Sequence, residues 1–289
     1  MNLASPSVIR TIAELRERVA DTRERQGSVA LVPTMGALHE GHLSLVRGAR
    51  AAADLVVVSL FVNPTQFNEA RDLAAYPRDE EKDAVLAASA GCDVLFVPAV
   101  SEIYPDGFGT SIDVGSVALP LEGEARGPAH FRGVATVVAK LLNIVQPDIA
   151  FFGQKDAQQT LVIKRLVRDL DMRVRVEVSP TVREPGGLAM SSRNQRLSPD
   201  ARERARGLFE ALGAAEDKFA SGEREALVLE AAGRNALAAR GITAKDIDYF
   251  AVSDMHSLAR LRRVETVALV SLAVQVDGVR LIDNTVLGT

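Results

Sequence analysis

The segment LVPTMGALHEGHL, from Leu31 to Leu43, decides the fold because it joins a strand directly to a helix. Apolar residues predict a strand over Ser28–Val32, and apolar positions at helical spacing predict a helix over Glu40–Ala53. Gly36 and Gly41 carry no Cβ and permit close approach of a ligand to the backbone. In an open parallel sheet, ligands bind where strands end and helices begin. This turn is therefore a candidate binding site.

The same alternation of strand and helix continues to about Val178. The run LVVVSLFV, Leu55–Val62, is apolar except for Ser59, which is typical of a strand buried on both faces. Further strands are predicted over Asp93–Val97, Ile149–Phe152 and Val174–Val178, with helices near 79–90, 132–145 and 155–170. Alternation at this spacing indicates βαβ crossovers, so we predict an α/β protein with a Rossmann-like, doubly wound parallel sheet.

The pattern changes after Pro180. Ser198-Pro199 predicts a helix start, with Ser as the N-cap and Pro in the first turn. We expect helices over about 199–220 and 223–240, then strands near 247–252, 265–276 and 279–283, the last two joined by the hairpin turn Asp277-Gly278. The prediction is a Rossmann-like domain over 1–180 and a smaller C-terminal α+β domain over 181–289. Residues 104–127 are predicted to form a flap within the first domain.

Composition excludes several classes of protein. The chain has 289 residues, 47% apolar and 25% charged, which argues against intrinsic disorder. A net charge of −4 argues against a general nucleic-acid binder. The single cysteine, Cys92, excludes an internal disulfide and is expected in the core. The N-terminus lacks the apolar stretch of a secretory signal, and no apolar run is long enough to span a membrane, so we expect a cytoplasmic protein.

Two histidines mark the turn quoted above. His39 and His42 are three residues apart and share one face of the first helical turn. Neutral imidazoles at a helix N-terminus could donate hydrogen bonds to phosphoryl oxygens as charge builds up in a transition state. A zinc site would need His-Glu-x-x-His spacing and a third ligand, but the spacing here is one residue short and only His130 and His256 remain in the chain. Two surface histidines on a helix cap are the other alternative.

A second polar motif follows the predicted Rossmann-like domain. Met190-Ser191-Ser192-Arg193-Asn194 comes after Gly186-Gly187. Its hydroxyls and guanidinium suit a triphosphate, with Arg193 as a planar, multi-donor clamp. The alternative is an ordinary polar loop before a helix.

Taken together, the two motifs resemble the superfamily of nucleotidylyltransferases and class I aminoacyl-tRNA synthetases. Longer segments then resemble one family, the pantothenate synthetases (pantoate–β-alanine ligases). They are Pro33–His42, Phe61–Phe67, Tyr76–Arg78, Phe152–Gln159, Val182–Glu184 and Met190–Asn194. The resemblance covers nearly all of residues 28–200 in order, with fewer motifs in the C-terminal domain.

The resemblance implies a reaction and its cofactors. The family joins pantoate to β-alanine using ATP and Mg²⁺, through a pantoyl-adenylate, and releases diphosphate and AMP. Such a displacement at phosphorus needs positioning and charge neutralisation rather than a protein nucleophile. The resemblance also implies a homodimer, and the smaller domain would act as a lid that excludes water.

The family's ATP site also carries over by resemblance. His39 and His42 would contact the phosphates, with His42 as the proposed proton donor. Lys155 and Arg193 complete the predicted catalytic set. The predicted ATP-binding residues are Met35, Gly36, Ala37, Leu38, His39, Glu40, Gly41, His42, Gly153, Gln154, Lys155, Asp156, Val182, Met190, Ser191, Ser192 and Arg193. Gly153 and Asp156 would hold the ribose, and the Val182 backbone would meet the adenine.

The predicted substrate site for pantoate and β-alanine consists of Pro33, Asn63, Gln66 and Gln159. A carboxamide both donates and accepts, which suits the hydroxyls and carboxylate of pantoate. Gln159 follows Lys155 by four residues, so both are expected on one helix face. Asp79 and Asp83 lie where the family often has acidic residues near the metal. Because a lysine interrupts this run, the Mg²⁺ ligands are left unassigned.

Two other functions stay open at this point. A nucleotidylyltransferase on the same scaffold would act on a phosphorylated acceptor and retain the nucleoside monophosphate in its product. A catalytically silent ATP-binding regulator is the alternative outside enzymes. The presence of both histidines, Lys155 and Arg193 argues against the regulator.

Overall fold

The computed structural model describes residues 5–67 and 70–288. Its strands are β1 (Ser7–Ile9), β2 (Val29–Thr34), β3 (Leu55–Leu60), β4 (Val94–Phe96), β5 (Ile149–Gly153), β6 (Arg175–Ser179), β7 (Ile247–Ser253), β8 (Ala268–Val276) and β9 (Val279–Leu287). Its helices are α1 (Ile12–Glu24), α2 (Glu40–Ala52), α3 (Ala70–Ala74), α4 (Glu80–Ser89), α5 (Val100–Ile103), α6 (Glu122–Arg126), α7 (Pro128–Val145), α8 (Ala157–Asp169), α9 (Pro199–Ala205), α10 (Gly207–Ala220) and α11 (Ala226–Ala239).

The first six strands form one parallel sheet in the order β1-β4-β3-β2-β5-β6. From β2 the chain builds outward through β3 and β4, and then returns to place β5 on the other side of β2. The switch point therefore lies at the carboxyl ends of β2 and β5, where ligands bind in such sheets. This sheet confirms the predicted Rossmann-like α/β class.

The central strands are buried on both faces, as their apolar runs predict. Leu31 and Val57 face a cluster with α1, α7 and α8, whereas Val32 and Val58 face a second cluster with α2 and α4. Successive strand residues point to opposite faces, so each strand contributes to both clusters. Cys92 is buried in the second cluster, as expected, and burial raises the pKa of its thiol to about 12.

The C-terminal part of the chain has its own sheet and core. Strands β7, β8 and β9 form an antiparallel sheet, and Asp277-Gly278 makes the hairpin turn between the last two. Helices α10 and α11 contribute Leu212 and Leu229 to the core over this sheet. The predicted smaller α+β fold is thus present.

Contacts divide the chain into two compact units. One consists of the chain up to Gly153 together with Gln159–Pro180, and the other of Gln154–Gln158 together with the chain from Thr181. The short segment between β5 and α8 thus groups with the second unit. Among the described residues, no helix combines the length and apolar character needed to cross a bilayer.

Several local features differ from the sequence-based expectations. Helix α6 lies within the predicted flap over 104–127, whose glycines and prolines predict turns and loops. Strand β1 and helix α1 were not predicted, and β1 pairs with β4 at the sheet edge. The expected helix over 199–220 is two helices, separated at Arg206, where the N–H of Arg206 bonds the Glu203 carbonyl and tightens the turn. Helix α8 begins at Ala157, after a 3₁₀ turn over Gln154–Asp156.

The last difference corrects one expectation about the site. Lys155 lies in the 3₁₀ turn and precedes the α-helix that contains Gln159. The α-helical spacing that predicted a shared face for these two side chains therefore does not apply.

Candidate active site

His39 and His42 interlock at the start of α2. His39 is the N-cap residue, and its Nδ1 accepts a hydrogen bond from the Gly41 N–H at 3.2 Å. The Nδ1 of His42 accepts from the backbone N–H of His39 at 3.4 Å. The two rings lie 4.1 Å apart between centroids. A nitrogen that accepts carries no proton, so each neutral ring carries its proton on Nε2.

The loop before these histidines has a backbone shape that few residues adopt. Gly36 has a φ of +84° and Ala37 a φ of +52°, both in the left-handed region. The Thr34 hydroxyl donates to the Ser59 carbonyl at 2.7 Å and accepts from the Gly36 N–H at 3.2 Å. These contacts fix the end of β2 against β3.

Asp83 on α4 binds the backbone of the same loop through its side chain. Its two carboxylate oxygens accept the N–H groups of Ala37 at 2.8 Å and Leu38 at 2.7 Å, and the residue is only 2% exposed. A Cβ at Gly36 would lie 2.9 Å from Asp83 Oδ2, so glycine is required there. Burial raises the pKa of Asp83 above its ordinary 3.8, against the opposing hydrogen bonds from Leu38 and Ala37.

The predicted substrate residues Asn63 and Gln66 lie in a 3₁₀ turn that follows β3. Asn63 is 1% exposed, and its Nδ2 donates to Gln66 Oε1 and to the Gly133 carbonyl, both at 3.1 Å. Its Oδ1 accepts from the Tyr104 hydroxyl at 2.8 Å. Gln66 Nε2 also lies 2.9 Å from the sulfur of Met35, which joins this turn to the loop after β2.

Helix α7 supports this turn from the other side. The His130 ring donates from Nδ1 to the Gln66 carbonyl at 2.9 Å. A Cβ at Gly133 would lie 2.5 Å from the Thr65 carbonyl oxygen, so the helix and the turn touch backbone to backbone. Arg132 ion-pairs with Asp113 at 3.3 Å, at the surface of the predicted flap. His130 thus fixes the backbone of the turn, whereas Arg132 pairs with an exposed side chain.

The first unit therefore gathers one set of predicted residues at one edge of the sheet. Strands β3, β2 and β5 are neighbours, and each ends at this edge. Gly153 ends β5, and Gln159 lies half-buried in the first turn of α8. The predicted residues of this unit are Pro33, Met35, Gly36, Ala37, Leu38, His39, Glu40, Gly41, His42, Asn63, Gln66, Gly153 and Gln159.

The second unit contains the other predicted ATP-binding residues. Lys155, Ser191 and Arg193 line one pocket, together with Arg280 from β9. The Ser191 hydroxyl accepts the Arg193 N–H at 3.3 Å and so caps the turn that carries Arg193. The Lys155 ammonium lies 3.5 Å from Asp156. The pocket thus combines three cationic side chains, of which Lys155 lies beside Asp156 and Arg280 pairs with Asp248 at 2.6 Å.

Residues 181–194 form a folded-back loop beside this pocket. The Val182 carbonyl accepts the Met190 N–H at 2.9 Å, and Arg183 makes two hydrogen bonds to Asp283, at 2.6 and 3.1 Å. Gly187 has a φ of +94°, and a Cβ there would lie 2.1 Å from the Phe209 ring. The Gly186-Gly187 pair thus lets the loop turn tightly against α10.

Several of these residues were not predicted from sequence. Asp83 contacts the backbone of Ala37 and Leu38, and Asn284 on β9 contacts the backbone of Gln154 and Lys155, while Asp283 binds the distant Arg183 side chain. No local pattern distinguishes these three residues. Arg280 follows the hairpin turn on an ordinary amphipathic strand. In the part of the chain that the structure describes, no group of three or more His, Cys, Asp or Glu side chains could hold a metal ion.

Comparison with known proteins matches nearly the whole chain to a single family. The pantoate–beta-alanine ligase family pattern matches residues 7–286. The pantothenate synthetase of Roseiflexus sp. (strain RS-1) is 55% identical over 280 residues, covering 97% of this chain and 99% of that protein. A crystal structure of pantothenate synthetase from Thermus thermophilus is similar at a TM-score of 0.89, with 45% identity, 96% of this chain and 98% of that one covered.

A second solved structure carries ligands. The pantoate–beta-alanine ligase of Francisella tularensis, complexed with beta-gamma ATP and beta-alanine, is similar at a TM-score of 0.78 and 36% identity. The similarity covers 97% of each chain.

Proposed function

The chain belongs to the pantoate–β-alanine ligase family, and from this membership we propose that it condenses (R)-pantoate with β-alanine at the expense of ATP. The products would be pantothenate, AMP and diphosphate. The structural observation that carries the proposal is the histidine pair at the end of β2. Both rings accept backbone N–H groups at Nδ1, so the proton of each neutral ring is on Nε2, the atom that would donate to a phosphate oxygen.

We propose two chemical steps. In the first, a carboxylate oxygen of pantoate attacks the α-phosphorus of ATP, the bond to the β-phosphate oxygen breaks, and diphosphate leaves. In the second, the amine of β-alanine attacks the acyl carbon of the pantoyl-adenylate, the acyl–oxygen bond breaks, and AMP leaves as the amine loses a proton. No protein nucleophile takes part, in keeping with a site built from hydrogen-bond donors and cations.

The phosphates would be bound by four groups. The Nε2–H groups of His39 and His42 would donate to oxygens on which negative charge develops during the first step. Lys155 would bind phosphate as a point charge, and Arg193 as a planar fork. The pocket lined by Lys155, Ser191 and Arg193 supports this assignment for the second unit.

The remaining nucleotide contacts follow the family pattern. Met35–His42 would line the ATP, and the loop's fixed shape supports a backbone role for it. Gly153 and Asp156 would hold the ribose, Val182 would meet the adenine through its backbone, and Met190–Arg193 would close over the triphosphate. Gln154 and Lys155 complete the set beside β5.

Pantoate would be bound in the first unit. Gln66 and Gln159 would hydrogen-bond its hydroxyls and carboxylate, while Pro33 and Met35 would contact its methylated carbon. All polar atoms of the Asn63 side chain have protein partners, so Asn63 would act on the substrate by orienting Gln66. Binding β-alanine beside pantoate is proposed on the family's activity.

Magnesium would enter together with ATP. Both oxygens of Asp83 accept loop amides, and Asp79 accepts the Lys82 N–H as a helix cap, so these carboxylates do not form a metal cage. Mg²⁺ is commonly held by substrate phosphates with few protein ligands. We therefore propose Mg²⁺ as the partner of ATP and assign it no protein ligand.

We also propose that the smaller domain, 181–289, acts as a lid over the reaction, and that the enzyme works as a cytoplasmic homodimer. A lid would protect the adenylate from hydrolysis. Solution scattering with and without ATP and pantoate tests closure, and identical profiles would contradict it. Light scattering of the purified chain tests the dimer, which a monomeric mass would exclude.

Isotope transfer tests the reaction itself. Pantoate labelled with ¹⁸O in its carboxylate is incubated with ATP, Mg²⁺ and β-alanine, and the products are analysed by mass spectrometry. We expect one label in AMP and none in diphosphate, with product formation dependent on both pantoate and β-alanine. Diphosphate release that instead requires a phosphorylated acceptor would support a nucleotidylyltransferase and refute the ligase.

A further inference from the structure

Asn284 on β9 fastens the turn that carries Lys155. Its Nδ2 donates to the carbonyls of Gln154 and Lys155, both at 2.9 Å. Its Oδ1 accepts from Gln154 Nε2, also at 2.9 Å. The residue is only 4% exposed, and all these groups belong to the second unit. One buried carboxamide thus contacts the turn three times, across 130 positions of sequence.

The neighbouring residue fixes Asn284 in turn. Asp283 is 2% exposed, and its Oδ1 accepts the Asn284 N–H at 2.8 Å. The same carboxylate receives two hydrogen bonds from Arg183, at 2.6 and 3.1 Å. Burial raises the pKa of Asp283, and the hydrogen bonds from Arg183 together with the charges of Arg183 and Lys155 oppose that rise.

We infer that Asn284 is a positioning residue for nucleotide binding, which holds the Gln154–Lys155 backbone so that the Lys155 ammonium meets the phosphates of ATP. The inference rests on the proposed role of Lys155. A lysine side chain is long and flexible, so the place of its ammonium depends on a fixed backbone. The C-terminal sheet would therefore contribute to binding the nucleotide as well as covering it.

We call the three hydrogen bonds between Asn284 and the turn the Asn284 clamp, and its loss would destabilise the turn. Without the carboxamide, the two carbonyls and the Gln154 side chain lose their buried partners. The turn can then relax, and small displacements of a binding group weaken an oriented contact strongly. The hydroxyl of Thr285, the next residue on the same strand, donates a hydrogen bond to Glu216 instead.

The first experiment compares Asn284→Ala with the matched control Thr285→Val. Binding of β,γ-methylene-ATP is measured by calorimetry in the absence of pantoate and β-alanine, and thermal melting checks folding. We expect about tenfold weaker binding for Asn284→Ala, with KM for ATP raised and KM for pantoate within twofold. Thr285→Val should bind like the wild type. Unchanged binding by folded Asn284→Ala, or an equal loss in the control, would overturn the inference.

The second experiment tests whether Asn284 acts through Lys155. In a double-mutant cycle with Lys155→Met, the Asn284→Ala change should cost less than twofold once the ammonium is gone, because the two act as one unit. A tenfold loss in both backgrounds would overturn the inference. Asn284→Asp, which keeps the volume but lacks the donors, replaces Asn284→Ala if that variant does not fold, and the same loss is expected.

The two experiments can fail independently of the proposed ligase reaction. Analogue binding does not require catalysis, so wild-type protein that binds the analogue without forming pantothenate would refute the ligase and leave the clamp standing. Lys155→Met that binds the analogue like the wild type would overturn the clamp, whatever the reaction.

Discussion

His42 accepts the backbone N–H of His39 on its Nδ1, and the two imidazole rings lie 4.1 Å apart at the first turn of α2. Each histidine therefore has two functions. Its Nδ1 accepts a backbone N–H at the start of α2, and its Nε2 would donate to a phosphate oxygen. The two functions can be separated by a substitution that keeps the acceptor of the backbone N–H and removes the donor to phosphate.

We predict that His42→Ala lowers the rate of adenylate formation by about 10²-fold or more, because a donor to developing charge is lost. Pantoate-dependent exchange of labelled diphosphate into ATP measures this step. His42→Asn can still accept from the His39 N–H but lacks the outer donor, so it should be impaired to a similar degree. His256→Ala is the control. Wild-type exchange in His42→Asn would assign His42 to capping alone.

Gln66→Ala is predicted to raise KM for pantoate by about 10- to 100-fold, since each lost hydrogen bond to a buried or charged group costs about 1–3 kcal/mol. Gln159→Ala should behave alike. Binding of β,γ-methylene-ATP should stay within twofold of the wild type in both. Gln275→Ala, on β8 of the other unit, controls for loss of a carboxamide. If nucleotide binding is lost while KM for pantoate is unchanged, the pantoate site is misplaced.

Asp83→Asn is predicted to reduce kcat/KM for ATP by about 10²-fold, because a carboxamide can accept only one of the two loop amides and its NH₂ opposes the other. Ser89→Ala, near the end of the same helix, is the control. Wild-type kinetics in Asp83→Asn would show that the loop holds its shape without the carboxylate.

The same variant should change how stability depends on pH. Burial raises the pKa of Asp83 above its ordinary 3.8, so the folded chain binds this proton more tightly than the unfolded chain. The contribution of Asp83 to stability is therefore full below pH 3.8 and is lost as pH rises through the raised pKa. Denaturant titrations should show the wild-type stability falling relative to Asp83→Asn over that range. A wild-type stability that instead rises relative to Asp83→Asn with pH would contradict the sign of the shift.

Gly133→Ala should destabilise the protein by about 1–3 kcal/mol, because its Cβ would overlap the Thr65 carbonyl. The displaced turn should also raise KM for pantoate through Gln66. Gly213→Ala in α10 is the matched control, because its Cβ would meet no atom within 4 Å, and it should be neutral or stabilising. Equal stability of the two variants would contradict the close contact between α7 and the turn.

The sequence predicted those parts of the protein that depend on local pattern. Apolar runs such as Leu55–Leu60 identify buried strands, and the glycine-rich turn before His39 identifies a strand-to-helix connection. The edge strand Ser7–Ile9 has only three residues and too little pattern to stand out. The turn at Lys155 was predicted as helix because its residues favour helices, although its backbone is held by a distant strand.

The positioning residues escaped prediction for a related reason. Asp83 meets the loop across 46 residues of sequence, and Asn284 meets its turn across 130. Before folding, Asp83 is indistinguishable from the other acids of a solvated helix start, and Asn284 from any polar residue on a strand. Only the tertiary fold shows that these two side chains are buried and that their partners are backbone groups.

The central claim is that His39, His42, Lys155 and Arg193 bind one triphosphate. A crystal structure of the protein soaked with β,γ-methylene-ATP and pantoate tests it most directly. We expect a nitrogen of each of the four side chains within about 3.2 Å of phosphate oxygens of a single nucleotide, with the pantoate carboxylate facing its α-phosphorus. A nucleotide whose phosphates contact only one pair, the histidines or the two cations, would contradict the claim.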